Sequence, residues 1–477
     1  MPLLPLAAAA GGGSIDGAGA DRLVAAGFTL LQRSAPLVRA LARRRAAILL
    51  PPSPQFLTAL AASDGRGAVL LNPLAAPAEI AYQLDDADVG AVFTNAALAA
   101  RLPAGMPTVL LDDAPRAARV VTPHGAADVD LGTHFGLDLA IDTDEPGRDE
   151  ECAIVYTSAM AGTPLGAILT HRNLLANARQ TLDAARLTPQ DHCLAVLPFS
   201  HLFGLTVTAV APMLAGAQVT TMARFNPLNA VALLREKGVT MFVGVPAVYA
   251  GLVAAIERSG GRLASDTLRL CICGGAPLSE ALQERWFAMT GVELRQGYGL
   301  TECAPVALFN RADAPNRRGA LGVPLPGCEV TIRDPETNAE LADGTPGQIC
   351  IRGETVFRGY VRRGAHGLAV RDGWLGSGDR GVRHADGTVV FAGLIKPMFT
   401  RNGFNIYPAE IGSAIGELEG VRTVRVFAIP EPNREHDIGV DVEGAVSEDE
   451  VRRWCETRLS AYKQPSLIRV TPAPPSR

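Results

Sequence analysis

Short apolar runs recur along the chain at Ala47 to Leu50, Ala68 to Leu71, Val89 to Thr94, Thr108 to Leu111 and Cys193 to Leu197, alternating with stretches of helical spacing. This alternation specifies layered α/β sheets, with helices covering strands. At 477 residues the chain is too long for one compact core and divides into at least two domains. From Gly327 the pattern changes to short strands with turns at Asp343-Gly344, Asp372-Gly373 and Asp386-Gly387, a β-rich subdomain of about 327–393 within a large domain of 28–393. A boundary is expected after Gly393, near 394–396, and 397–477 reads as a small α+β unit that depends on docking to the large domain. Residues 1–27 are expected to be a disordered leader, because Met1 to Gly13 is apolar and alanine-rich but lacks the basic start and cleavage context of a signal peptide.

The chain is 48% hydrophobic, enough for large cores, and its 44 basic and 49 acidic residues leave a net charge of −5. No basic field argues for nucleic acid, so small molecules are the expected partners. Eight cysteines lie scattered without metal-ligand spacing, which fits reduced thiols and a cytoplasmic location. Cys271 and Cys273 share one face of an expected strand, Leu268 to Cys273, and read as core. No charged residue occurs between His201 and Arg224, but Gly204, Pro212 and Gly216 interrupt that run. It reads as a buried helix followed by a strand, with at most peripheral membrane contact.

The run Tyr156-Thr157-Ser158-Ala159-Met160-Ala161-Gly162-Thr163-Pro164-Leu165-Gly166 leaves an apolar strand, Cys152 to Tyr156, and continues into Leu169-Thr170-His171-Arg172-Asn173. Hydroxyl and glycine residues leaving a strand turn tightly and offer backbone N–H groups and side-chain donors to phosphate oxygens. Alone, the same residues also read as an ordinary turn with a helix cap. Their company downstream decides between these readings.

That company comprises Leu197-Pro198-Phe199-Ser200-His201-Leu202-Phe203-Gly204, Gly274-Gly275-Ala276-Pro277-Leu278-Ser279, Gln296-Gly297-Tyr298-Gly299-Leu300-Thr301-Glu302, Gly373-Trp374-Leu375-Gly376-Ser377-Gly378-Asp379 and Gly403-Phe404-Asn405-Ile406-Tyr407-Pro408-Ala409-Glu410-Ile411. In this order the segments resemble the adenylate-forming superfamily of acyl-CoA synthetases and peptide-synthetase adenylation domains, from about Phe28 to the C-terminus, and most resemble fatty-acid-CoA ligases. The resemblance implies that a carboxylic acid, most like a fatty acid, is activated with ATP and Mg²⁺ to an acyl-adenylate and passed to coenzyme A. It implies that Thr157, Ser158, Gly162 and Thr163 cradle phosphate, and that Gly274, Gly275 and Ala276 let the backbone approach adenine and the acyl chain. It further implies that Tyr298, followed by Gly299, stacks on adenine and that Asp379 accepts hydrogen bonds from the ribose hydroxyls. Thr301 would bond a phosphate, Glu302 would hold Mg²⁺, and Lys396 would mark the hinge. His201 would line the acyl entrance, or be a satisfied buried histidine.

The chain also departs from the pattern. Ala159, Met160 and Ala161 replace Gly-Thr-Thr, Leu165 replaces the loop lysine, and Leu394 stands where an arginine reaches the nucleotide. Pro397 follows the hinge where aspartate is usual, and Arg477 is the last residue where a Gly-Lys element with the adenylating lysine is expected. A charge-assisted hydrogen bond is worth about 1.5–3 kcal/mol, so such losses bear on catalysis directly. Two alternatives therefore accompany the ligase: a weakly catalytic relative that binds acyl or nucleotide ligands, and acyl transfer to a carrier protein.

Overall fold

In the computed structural model, which describes residues 3–34, 45–63, 67–111, 117–131, 149–157, 163–362, 367–395, 398–431 and 435–472, the apolar runs become strands. They are Arg45–Leu49, Ala68–Leu70, Val89–Thr94, Thr108–Leu110 and His192–Ala195. Among the described residues these fall into two nine-stranded sheets. In one, His192–Ala195, Met241–Gly244, Leu270–Cys273 and Leu294–Gly299 lie side by side and parallel. Parallel strands are covered on both faces, which is why they read as unbroken apolar runs. Cys271 and Cys273 are fully buried in this core.

The other large sheet pairs Glu151–Thr157 antiparallel with Leu165–Thr170, and the short strand Gly359–Tyr360 adds to its edge. A third, five-stranded sheet runs from Cys328–Arg333 to Val389–Leu394. Its hairpin at Asp372-Gly373 has φ of 52° and 79°, the left-handed pair that a tight two-residue turn requires. The uncharged run after His201 forms a buried helix, Phe203–Val210, extended by Ala211–Leu214, and then the strand Gln218–Thr221. No helix among the described residues is long and apolar enough to cross a membrane.

Of the residues expected to form a disordered leader, 3–27 are instead packed. Helix Leu3–Ala10, a short hairpin and helix Ala20–Ser34 join the large domain, with Leu4 and Ala8 buried and the Leu4 N–H donating to His171 Nδ1 at 3.1 Å. Small side chains make this possible. A Cβ on Gly11 would stand 2.2 Å from the Met213 carbonyl oxygen, so glycine alone allows the two backbones to approach.

The C-terminal segment has a core of its own, built from Phe399, Ile406, Ile411, Ile438, Val440 and Ile468 among others. It docks through a buried ionic cluster. Lys463 reaches Glu79 of helix Pro77–Asp86 at 2.7 Å and Glu410 of helix Pro408–Gly416, and Ser460 Oγ accepts from the Ala76 N–H at 3.2 Å. Burial alone would lower the Lys463 pKa, but Tyr462, Glu410 and Glu79 outweigh it and raise the value above the ordinary lysine range. The stabilisation is therefore fully present at neutral pH and is lost only as pH climbs above that ordinary range. Removing one partner of a buried pair strands the other, so Lys463→Met is expected to destabilise the docked form by about 3–5 kcal/mol. Urea denaturation at pH 7, with protease cleavage near residues 394–396 as a second readout, checks this.

Candidate functional site

Two neighbouring parallel strands end at the same place. Leu270–Cys273 runs out into Gly274, Gly275 and Ala276, and Leu294–Gly299 runs out into Leu300 and the single helical turn Thr301–Cys303. Ligands of open α/β sheets sit beyond such carboxyl ends. The backbone there is drawn in tightly. A Cβ on Gly299 would stand 1.8 Å from the Pro305 carbonyl oxygen, and one on Gly274 would stand 3.0 Å from the Gly297 oxygen and 3.1 Å from the Phe203 ring. Gly275 is exposed with φ of 80°, and Ala276 beside it is half-buried.

Around these ends two buried carboxylates are held by phenols. Glu302, 5% exposed, accepts from the Tyr360 hydroxyl at 2.7 Å and from Thr157 Oγ1 at 3.4 Å. Asp379, 7% exposed, accepts from the Tyr298 hydroxyl at 2.7 Å, while its own N–H donates to Ser377 Oγ at 3.1 Å. Burial, then the neighbouring carboxylate charge, pushes up the pKa of Tyr360 and of Tyr298. Tyr407, from the C-terminal segment, is pushed up by burial and then by the charges of both Glu302 and Asp379. Tyr298, which holds Asp379, lies at the end of the strand that leads into the turn carrying Glu302, so both carboxylates belong to the same sheet end. All three phenols stay protonated at neutral pH, and those of Tyr298 and Tyr360 donate to the carboxylates.

Thr157 and Thr163 flank the expected phosphate loop, and the cross-strand pair Leu165–Thr157 closes its base. Ser158 and Gly162, like Lys396, lie outside the described residues. Thr301 is half-buried at the start of its turn, directly before Glu302. His201 keeps exposed surface although the protein packed around it desolvates the ring. Its Nδ1 accepts from the Phe203 N–H at 3.2 Å, and desolvation by the surrounding protein lowers its pKa. At neutral pH the ring is therefore neutral, with its proton on Nε2.

The acidic site suits a hard cation. Glu302 gathers a hydroxyl and a phenol oxygen around one carboxylate, and Mg²⁺ needs only one or two carboxylates when phosphates complete its shell. No cluster of three or more His, Cys, Asp or Glu side chains occurs among the described residues, so an all-protein metal cage is not what this site offers.

Residues 38–361 match the AMP-binding enzyme family. The chain belongs to that family. Its sequence is 31% identical to a feruloyl-CoA synthase of an Amycolatopsis species over 434 residues, covering 90% of this chain and 84% of that protein. It is 28% identical to a long-chain-fatty-acid–CoA ligase of Bacillus subtilis over 455 residues, covering 88% and 81%. A solved malonyl-CoA ligase, a ternary product complex with methylmalonyl-CoA and AMP, matches with TM-score 0.80 at 26% identity over 97% of this chain and 96% of its own. An amide bond synthetase from Marinactinospora thermotolerans, at 21% identity and TM-score 0.78 over 99% and 96%, shares the fold alone. By resemblance this AMP-binding enzyme is an acid–thiol ligase.

Sequence reasoning missed Tyr360 and Tyr407. Tyr360 reaches Glu302 because Gly359–Tyr360 pairs with Ala167 and Ile168, a register that no local spacing reveals. Tyr407 sits inside the segment Gly403 to Ile411, so asking which of its side chains faces the large domain was the available signal. Asp379→Ala removes hydrogen bonds of a charged acceptor, and AMP is expected to bind about 10- to 100-fold more weakly. Calorimetry with AMP reads this; Tyr298→Phe, which removes one neutral donor from Asp379, should fall between that variant and wild type.

Proposed function

We propose that this enzyme activates an apolar carboxylic acid with ATP and transfers the acyl group to coenzyme A. In the first step a carboxylate oxygen attacks the α-phosphorus, the bond to pyrophosphate breaks, and an acyl-adenylate forms. In the second the thiol sulfur attacks the acyl carbon, AMP leaves, and the thiol proton passes to solvent. The observation that carries this reading is the pair of buried carboxylates at the glycine-lined strand ends, Glu302 held by Tyr360 and Asp379 held by Tyr298.

Within it, Asp379 orients the ribose through two carboxylate oxygens, and Tyr298 fixes Asp379 through their 2.7 Å bond. Gly274 to Ala276 let adenine and the acyl group lie against backbone. Thr157, Thr301 and Thr163, with Ser158 and Gly162 of the same loop, donate to phosphate. Mg²⁺, held by Glu302, would neutralise phosphate charge. His201, neutral with an outward Nε2–H, donates a hydrogen bond near the reacting carbonyl. Lys396 remains the proposed pivot of the C-terminal segment.

A fatty acid is the acid that the sequence resemblance favours, while the relatives' names also include feruloyl-CoA and 4-coumarate–CoA synthesis. A second reading, binding without efficient turnover, is supported by Leu165, which is buried, and by Leu394, which lies opposite Asp379 across the strand pair with 40% of its surface exposed. Neither supplies positive charge to a transferring phosphoryl group.

Purified protein with ATP, Mg²⁺, coenzyme A and a panel of acids is expected to release pyrophosphate only when an acid is present, and to form the matching thioester. Leu394→Arg places a cation beside Asp379 and should raise that rate about tenfold or more, the value of one charge-assisted hydrogen bond. No acid-dependent pyrophosphate from either protein would discard the ligase reading in favour of binding alone.

A further inference from the structure

Helix Pro77–Asp86 meets both the C-terminal segment and the strands that frame the expected phosphate loop. Ile80 and Leu84 are buried and seat it on the sheet beside Leu49, Val69 and Ile154. On another face Glu79, Tyr82 and Asp86 follow at spacings of three and four residues, which brings them into one row. Glu79 takes the Lys463 ammonium at 2.7 Å and accepts from the Ala76 N–H at 2.8 Å, so the docking charge sits on the first turn of the helix.

The other end of the row holds the loop margins. The Tyr82 hydroxyl donates to the Pro164 carbonyl at 2.8 Å, directly before strand Leu165–Thr170. The Tyr156 hydroxyl, on the strand that enters the loop, donates to Asp86 at 2.7 Å, and the two phenol rings meet edge to face with centroids 6.0 Å apart. Arg362 closes the group. It donates to Asp86 and lies over the Tyr82 ring at 5.5 Å, next to Val361, whose N–H donates to the Gly166 carbonyl at 2.9 Å. Burial, then the Asp86 charge, pushes the Tyr82 phenol up to about 12, so at neutral pH its hydroxyl is a donor. One helix thus ties both margins of the loop to the docking charge, with Glu79 and Asp86 about 10 Å apart along its axis.

We infer that Tyr82 is a positioning residue for the phosphates of ATP, holding the loop where the chain leaves it, and that its helix couples this hold to docking of the C-terminal segment through Glu79. The inference rests on the ligase reading of the loop and extends it. Docking fixes the Glu79 end: with Lys463 and Ser460 in place its carboxylate is 10% exposed, and without them the first turn faces water and is released. A helix packed on a sheet shifts as a unit, so Tyr82 and Asp86 move with Glu79 and take Pro164 and Tyr156 along. The linkage is reciprocal, so phosphate bound in the loop favours the docked segment by the same factor.

The test is calorimetric binding of ATP with Mg²⁺, and of AMP, to the full chain, to Tyr82→Phe, which keeps the ring and removes the hydroxyl, to Lys463→Met and to the double variant. Glu79→Gln, which removes the charge but keeps an acceptor for the Ala76 N–H, serves in place of Lys463→Met should that variant not fold. ATP is expected to bind Tyr82→Phe about three- to tenfold more weakly, the worth of one neutral hydrogen bond, with AMP changed by less than about twofold. AMP shares the base and ribose, so a merely structural loss would weaken both nucleotides alike. Lys463→Met should also weaken ATP, and the double variant should lose less than the product of the two single losses, because both act on one helix. Unchanged ATP affinity in Tyr82→Phe, equal losses for ATP and AMP, or single losses that multiply overturns the proposal. If wild type binds no ATP the ligase reading fails, and hydrogen exchange then decides without nucleotide: strands Glu151–Thr157 and Leu165–Thr170 exchange faster in both single variants if the coupling holds, and at the wild-type rate if it does not.

Discussion

Backbone has to approach backbone at the ends of the parallel strands, and the site depends on that approach. With a side chain at 299 a Cβ would sit 1.8 Å from the Pro305 oxygen, so the strand carrying Tyr298 and the turn carrying Glu302 would be forced apart. Gly274 has the same role on the adjacent strand, where Phe203 and the Gly297 carbonyl close in. These glycines stabilise little by themselves and have the conformational cost of an unrestricted residue. Their effect is positional. They bring the phenol that holds Asp379 and the carboxylate that Tyr360 holds to one end of one sheet.

The C-terminal segment completes this end from the opposite side. Val245 is the shared contact: its methyls face the Cβ position of Gly275 from the large domain and that of Gly403 from the hairpin Asn402-Gly403. Both hairpin residues have positive φ, at 52° and 78°, which turns the chain sharply where it meets the site. The segment carries its own core, so it can move as a unit, while its docking rests on polar ties. Buried ion pairs gain little net energy once desolvation is counted but are strongly unfavourable to break by halves. The Lys463 cluster therefore specifies where the segment docks more than it adds to overall stability.

Much of this was legible from residues alone. The parallel strands announce themselves as apolar runs, and the segments singled out around Gly274, Tyr298 and Asp379 include two paired strands and one hydrogen bond between Tyr298 and Asp379. What stayed hidden depends on partners distant in sequence. Residues 1–27 read as a leader because alanine, leucine and glycine look alike in a solvated tail and in a packed helix; the difference lies in Met213 and His171, far along the chain. Lys463 meets Glu79 across a separation of 384 positions, and Tyr360 meets Glu302 only through a sheet edge. Tyr82 sits at an ordinary helical position, and its bond to Pro164 appears only in three dimensions.

The two leucines that replace expected cations are physically different. Leu165 opens its strand, is buried, and pairs with Thr157, so leucine there has become integral to the packing beneath the phosphate loop. Restoring a cation at 165 would bury charge in a place now closed by carbon. Leu394 is the reverse case, with 40% of its surface exposed opposite Asp379 and Ile395 exposed beside it. Exposed leucine gains little from burial in this docked arrangement. A site that lost its cations through drift would leave both positions loose. Here one has been absorbed into the fold and the other left open beside Asp379, so the two positions are not equivalent losses: only 394 has room for a cation without burying its charge.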